Sequence, residues 1–200
     1  MTSHGDKKTV DYYNKNARKY FDSTVNINME SLYAPFIELI PPKARILDAG
    51  CGSGRDSLYF IEKGYDVIAV DASEEIVTLA QTLLGIAVLN MSFQELEYTD
   101  EFDGIWACGS LLHVPKNEID DVLNRLTRAL RKNGIIYASF KYGNKERLQE
   151  GRVFNDYDED SMASLIKQYL SLEMVRMWKT EDVRVDRRGE YWLNVLIKKA

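Results

Sequence analysis

Between residues 45 and 141, short and nearly continuous apolar runs alternate with stretches whose apolar positions recur at intervals of three and four. The runs "RILDAG", "DVIAVDAS", "IAVLN", "FDGIWACG" and "IIYASFKYG" predict five strands. Between them, helices are predicted for "GRDSLYFIEKG", closed by Gly64, for "SEEIVTLAQTLLG", and for "KNEIDDVLNRLTRALRKNG", which puts Ile119, Leu123, Leu126 and Leu130 on one face. Upstream, residues 6–22 predict a helix with Tyr13, Ala17 and Tyr20 on one side. A second helix over 29–40 ends before Pro41-Pro42, which cannot continue it. Downstream, "YGNKERLQEGRVFNDYDE" reads as a loop-rich insertion, a helix covers about 158–169, and "SLEMVRMWKTE" and "EYWLNVLIKK" are the last two strands.

Strands that are apolar on both faces and alternate with helices imply a mostly parallel sheet covered on both sides. The connector "DVRVDRRG" is too short for a parallel crossover, which needs about a dozen residues or more, so the last two strands must be antiparallel neighbours. The expected fold is α/β: a seven-stranded, mostly parallel, doubly wound sheet with an antiparallel C-terminal hairpin strand and helices on both faces. No repeat, low-complexity tract or linker divides the chain. Residues 1–200 are therefore expected to form one domain, with 1–42 as an N-terminal helical cap and 43–200 as the core.

Composition narrows the function classes. A formal net charge of -5 gives no electrostatic footprint for long nucleic acid, which requires clustered Lys and Arg. Cys51 and Cys108 lie far apart with no CxxC partner, so neither a zinc site nor a disulfide framework is indicated, and no metal is expected. No apolar stretch approaches the roughly 18 residues of a membrane span, and "MTSHGDKKTVDYY" lacks the apolar segment of a signal peptide. A cytoplasmic protein is expected, as a monomer or a homodimer.

The chemistry concentrates in "ILDAGCGSGRDS", which places Gly50, Gly52 and Gly54 where a buried strand turns into a helix. Such a turn exposes backbone N–H groups at the carboxyl end of the sheet, where open α/β folds bind ligands. The next strand ends in Asp71, about twenty residues on, where a carboxylate can accept hydrogen bonds from a ribose diol. Together they indicate a nucleoside-containing cofactor. The run is GxGxG rather than the GxGxxG of dinucleotide sites, and GxxxxGK[ST] is absent.

At this point the chain resembles the Rossmann-like (class I) S-adenosylmethionine-dependent methyltransferases of the small-molecule branch. The resemblance is carried by "LDAGCGSGRDS", "VIAVDAS", "FDGIWACGSLLHVP" and "LRKNGIIYASFKYG" in order, and runs from about residue 10 to the end. It implies that Asp48, Gly50, Cys51, Gly52 and Gly54 shape the site for the methionine part of the cofactor. It further implies that Asp71 holds the ribose hydroxyls with Ala72 beside the adenine, and that Cys108 and Gly109 lie beside the reactive methyl group. The family usually has an aspartate where this chain has Ser92, which leaves Ser92 or the Phe93 backbone to face the adenine. Tyr13 and Tyr20 look like the N-terminal helix tyrosines that close over the cofactor in similar enzymes; their other reading is packing of the helix face.

Methyl transfer is an in-line displacement in which the protein's main contribution is to hold donor and acceptor at near-attack distance. His113, just past the fourth strand, is the base candidate, titrating in the useful range; otherwise it caps the next helix or lines the pocket. The other histidine, His4, falls in the N-terminal tail. Lys141 and Tyr142 follow the fifth strand and can line the same pocket or be ordinary loop residues. Arg152, Arg184 and Trp178 are further candidates for the acceptor, since arginine forks suit a carboxylate or oxyanion; surface charge and core packing are their alternatives. The "WACGSLLHVP" segment is also similar to tellurite-resistance methyltransferases. The expected function is methyl transfer from S-adenosylmethionine to a small-molecule N, O, S or Se acceptor, with nucleic acid and membrane not expected as partners. An RNA or protein methyltransferase, or a non-catalytic S-adenosylmethionine-binding regulator, are the alternatives.

Overall fold

The computed structural model describes residues 4–184 and 187–200, with side chains from Lys7 onward. In chain order its elements are α1 (His4–Thr24), α2 (Glu30–Ile37), β1 (Arg45–Ala49), α3 (Arg55–Glu62), β2 (Asp66–Asp71), α4 (Glu74–Leu84), β3 (Val88–Asn90) and β4 (Phe102–Ala107). There follow α5 (Ile119–Ala129), β5 (Leu130–Lys141), β6 (Glu146–Gln149), β7 (Arg152–Asn155), α6 (Glu159–Ile166), β8 (Leu172–Glu181) and β9 (Tyr191–Lys199). Seven strands form one sheet in the order β3-β2-β1-β4-β5-β9-β8. β1 to β5 pair in parallel, and β9 inserts antiparallel between β5 and β8. The α/β class, the seven strands and the reversed C-terminal hairpin agree with the sequence.

The apolar runs become strands because both of their faces are covered. On one face Leu47, Ala49, Ile105, Ala107, Ile136 and Ala138 are buried in a cluster that includes Leu123 and Leu126 of α5 and Met162 and Ile166 of α6. On the other, Ile46, Trp106 and Tyr137 join Tyr33 and Phe36 of α2 and Phe60 of α3. Trp106 and Tyr137 stack at 3.9 Å between ring centroids, a contact worth about 0.5–1.5 kcal/mol beyond the area it buries. Among the described residues no helix is long and apolar enough to cross a membrane.

Several boundaries move. α1 begins at His4, so that histidine opens a helix instead of lying in a tail. α2 stops at Ile37, contains Pro35, and gives way to a tighter turn in which the Leu39 and Ile40 amides donate to Phe36 and Ile37. α5 stops at Ala129 because Asp100 N–H and Glu101 N–H take the carbonyls of Arg128 and Ala129, and Leu130 pairs with Phe102 to start β5. α6 stops at Ile166. The insertion after β5 is a second, two-stranded sheet: β6 and β7 pair antiparallel around a turn in which Glu150 and Gly151 both have positive φ, 51° and 81°. Arg147 ties this hairpin down, bonding Asp156 at 2.8 Å and lying over the Phe154 ring.

Candidate active site

The carboxyl ends of β1, β2 and β4 and the turns that follow them form one rim. The glycine turn is clipped to β2, since Gly50 and Cys51 N–H both donate to the Val70 carbonyl at 2.9 Å. Gly52 N–H donates to Asp71 Oδ2 at 3.0 Å and Ser73 N–H to Asp71 Oδ1 at 2.9 Å, which aims that carboxylate across the rim. Gly50 has φ +81°, and a Cβ there would meet the Ser110 Cβ at 2.5 Å; the Ser110 hydroxyl in turn donates to the Ala49 carbonyl. Gly52 has φ +55°, and a Cβ would meet the Tyr20 hydroxyl at 2.9 Å. The protein's own side chains therefore already lie against the glycine backbone.

Helix α1 crosses over this rim. Asn14 accepts the Ser73 hydroxyl at 2.6 Å, Tyr13 donates to His113 Nε2 at 2.8 Å, and Thr9 Oγ1 accepts Val153 N–H from β7 at 3.2 Å. Beneath α1 is a cavity of about 710 Å³ including its mouth. Of the candidates, Tyr13, Tyr20, Gly50, Gly52, Asp71, Ala72, Ser92, Phe93, Gly109 and His113 line it, together with Ile76 and Met91. Ser92 is occupied locally: its hydroxyl and amide both donate to Glu95 Oε2, capping a single 3-10 turn over Phe93–Glu95 and lowering the Glu95 pKa.

A second cavity adjoins the first, about 1410 Å³ including its mouth. Tyr13, Tyr20, Gly109 and His113 line both. Its further walls include Cys108, Lys141, Arg152 and Arg184 from the candidates, and Phe154 and Trp192. The β5–β9 register sets Trp192 opposite Lys141 and Asn194 opposite Ser139. The cations do not stand alone. Lys141 bonds Glu190 and, at 3.1 Å, Asp182; Arg184 grips Asp182 at 2.8 and 2.9 Å; Arg152 bonds Glu150 at 2.7 Å. Burial opposes ionisation of Asp182, yet Arg184 and the Trp192 N–H hold it far below the usual carboxylate range.

Five candidates line neither cavity. Asp48 sits behind the glycine turn in β1, accepting the Ser57 hydroxyl at 2.6 Å. Burial and the neighbouring Asp56 push its pKa up to about 8. Cys51 and Gly54 are likewise buried behind the rim, Gly54 as the left-handed N-cap of α3. Tyr142 points outward, its hydroxyl donating to Glu159 at 2.8 Å. Trp178 packs with the cluster around Tyr137 on the α2 side of the sheet. Residues 185 and 186, in the connector that follows Arg184, lie outside the described residues.

His113 departs from expectation. Burial drives its pKa down to about 4, the Val153 carbonyl pulls it partly back, and Arg152 and Arg147 depress it further. It is neutral at pH 7, outside the range expected of a free base. Its Nδ1 lies 2.6 Å from the Val153 carbonyl, which can only accept, so the proton sits on Nδ1 and Nε2 accepts from Tyr13.

Sequence reasoning also missed the network behind the second cavity. Asp56 accepts from the Tyr33 hydroxyl at 2.6 Å, Trp106 Nε1 at 2.8 Å and both Arg55 Nε and Nη2. Burial raises its pKa, but Arg55 and these donors lower it overall. Arg55 itself reaches the second cavity. The only available signal was the adjacent Arg-Asp pair at the head of a helix, which reads equally as a solvated surface. Ser110, Thr9 and Asn14 carry no motif at all.

Residues 46–134 match a family model described as a methyltransferase domain. The chain is 32% identical over 132 residues to YqeM of Bacillus subtilis (strain 168), provisionally named a methyltransferase; the alignment covers 60% of this chain and 52% of that one. The chain spans between 50% and 59% of the length of the curated relatives it matches. In fold it is similar to the 1,6-didemethyltoxoflavin-N1-methyltransferase of Burkholderia thailandensis, solved with bound 1,6-didemethyltoxoflavin and S-adenosylhomocysteine. That likeness has a TM-score of 0.81 at 24% identity and covers 100% of this chain and 92% of the other. A TehB-like SAM-dependent methyltransferase from Corynebacterium glutamicum gives a TM-score of 0.67 at 20% identity, over 96% and 98% of the two chains. Residues 46–134 thus match a methyltransferase domain, and the glycine turn, the acidic β2 end and the sheet order sit in a fold that the chain shares with these methyltransferases.

Proposed function

We propose that this protein transfers a methyl group from S-adenosylmethionine, held in the first cavity, to a small-molecule acceptor held in the second. The observation that carries the reading is the shared wall: Tyr13, Tyr20, Gly109 and His113 belong to both cavities, so donor and acceptor meet there. Each Asp71 oxygen spends one lone pair on a backbone N–H and keeps another for a ribose hydroxyl. Ile76, Met91 and the Phe93 ring offer an apolar slot for a base. The donor set fits the cofactor. When bound, it supplies a methyl group on a sulfonium, an electrophile with a neutral leaving group.

The chain's own residues orient and exclude. The Tyr13 and Tyr20 rings meet edge to face at 5.1 Å and offer aromatic surface to a cation at the junction. The small-molecule acceptor is supported by the walls of the second cavity, to which α1, the β6–β7 hairpin and residues 180–184 and 187 all contribute. The Burkholderia protein, whose bound partner is a small heterocycle, points the same way.

Calorimetry with S-adenosylhomocysteine, followed by transfer of label from methyl-tritiated S-adenosylmethionine into separated metabolite, RNA and protein fractions of a cell extract, tests the reading. Binding with label in metabolites is expected. Binding without product in any fraction establishes a non-catalytic sensor, and label in RNA or protein overturns the small-molecule assignment.

A further inference from the structure

Tyr13 is the side chain at the junction with a complete path for a proton behind it. Its hydroxyl donates to His113 Nε2 at 2.8 Å, and the far side of that ring, Nδ1–H, is fixed on the Val153 carbonyl at 2.6 Å. The ring is also held by Phe154, 4.9 Å away edge to face. The tautomer thus leaves a lone pair aimed at the tyrosine. Both residues line both cavities. Charged and titratable groups reach this pair from three sides: Tyr12 from α1, Arg147 and Arg152 from the hairpin, and Asp71 from the end of β2. Burial raises the Tyr13 pKa, while the Arg152 guanidinium acts against that rise by charge and hydrogen bonding.

We propose, resting on the reading above, that Tyr13 is the catalytic residue that receives the acceptor's proton, and that His113 is its positioning and relay partner. The acceptor class is then one that carries a proton at neutral pH: a thiol, a phenol-like hydroxyl or an acidic ring N–H. As the acceptor's electron pair forms the bond to the methyl carbon and the carbon–sulfur pair returns to sulfur, the acceptor's proton passes to the Tyr13 oxygen. Tyr13's own proton passes to His113 Nε2. The imidazolium so formed takes up the positive charge that leaves sulfur. Before transfer, burial, with Arg152, Arg147 and a cation at the junction, keeps His113 unprotonated. Transfer removes one of those charges, so the proton affinity of His113 rises at the step that requires it.

The chain has two histidines, so histidine labelled with nitrogen-15 gives two ring systems, and His113→Gln assigns them. At pH 7 His113 is expected as the Nδ1–H tautomer, and Tyr13→Phe is expected to shift only its Nε2 resonance. In complex with sinefungin, whose ammonium stands at the junction, His113 is expected to protonate at a lower pH than in complex with S-adenosylhomocysteine, by about one unit, or tenfold in proton affinity. In tritium transfer to the extract metabolite fraction, Tyr13→Phe is expected to lose about 100-fold at pH 7 and to recover as the pH rises toward the acceptor's own pKa. An Nε2–H tautomer, identical His113 titration in the two complexes, or a Tyr13→Phe deficit that is constant with pH each overturns the relay while leaving the methyltransferase reading intact. Absence of S-adenosylhomocysteine binding removes that reading and the relay with it.

Discussion

Asp71 is poised by the backbone itself: Gly52 N–H and Ser73 N–H hold its two oxygens, and burial raises its pKa while those amides pull it down. Asp71→Ala therefore removes the proposed ribose acceptor and the tether of the glycine turn together. Loss of a hydrogen bond to a charged acceptor costs about 1.5–3 kcal/mol, so calorimetry with S-adenosylhomocysteine is expected to show affinity weakened about 10- to 150-fold. An unchanged Kd removes Asp71 from the site. Gly52 offers a second test, because a side chain there meets both an unfavourable backbone, φ +55°, and the Tyr20 hydroxyl at 2.9 Å. The left-handed conformation alone costs a non-glycine residue about 1–2 kcal/mol. Gly52→Ala is expected to lower Tm by more than that strain accounts for, and adding Tyr20→Phe to recover the difference but not the strain. Equal melting of the single and double variants would show that the tyrosine is not pressed on the turn. These two residues were legible as a pair because glycine spacing and strand-end acidity are local signals. Asp48 was read from the same motif, yet it lies behind the wall, since a strand residue two positions before the turn alternates away from the rim.

The strands β1 to β5 were legible because burial on both faces writes a continuous apolar run, and the C-terminal hairpin because an eight-residue connector excludes a crossover. The β6–β7 hairpin was not legible. Only Leu148, Val153 and Phe154 are apolar in its strands, and its Glu-Gly turn is a weaker signal than Asn-Gly or Asp-Gly. Its strands are held by tertiary contacts that no local pattern records: Arg147 on Asp156 and Phe154, Arg152 over the Tyr12 ring at 4.0 Å, and Val153 N–H on Thr9. The hairpin and α1 therefore act as one roof. Thr9→Ala leaves the Val153 amide without the hydroxyl that accepts from it, at a cost of about 1–3 kcal/mol that falls on the roof rather than on the sheet. Hydrogen exchange by mass spectrometry is expected to speed up in residues 7–20 and 146–155 and to stay unchanged in β1, β4 and β5. Uniform acceleration across the sheet would mean that the roof does not open separately.

At the scale of the whole molecule, two buried groups bend the dependence of stability on pH in opposite directions. His113 has its pKa lowered to about 4, so between there and its unfolded value near 6.5 the unfolded chain binds a proton that the native protein refuses, and stability rises with pH. Asp48 has its pKa raised to about 8, so from roughly pH 4 to 8 the native protein keeps a proton that the unfolded chain releases, and stability falls with pH. Below about pH 6.5 the two slopes oppose each other and largely cancel; above it Asp48 acts without that opposition. A shift of one pKa unit corresponds to 1.36 kcal/mol, so the fall between pH 6.5 and 8 amounts to about 2 kcal/mol. Asp48→Asn keeps an oxygen for the Ser57 hydroxyl and cannot ionise. It is expected to unfold close to the wild type near pH 4 and progressively above it from there to pH 8.5, in denaturant titrations run across that range. The reverse order, with Asp48→Asn losing stability as the pH rises, would place a working carboxylate at β1, paired with a cation that stabilises its charge, and the wall of the first cavity would then be redrawn to include it.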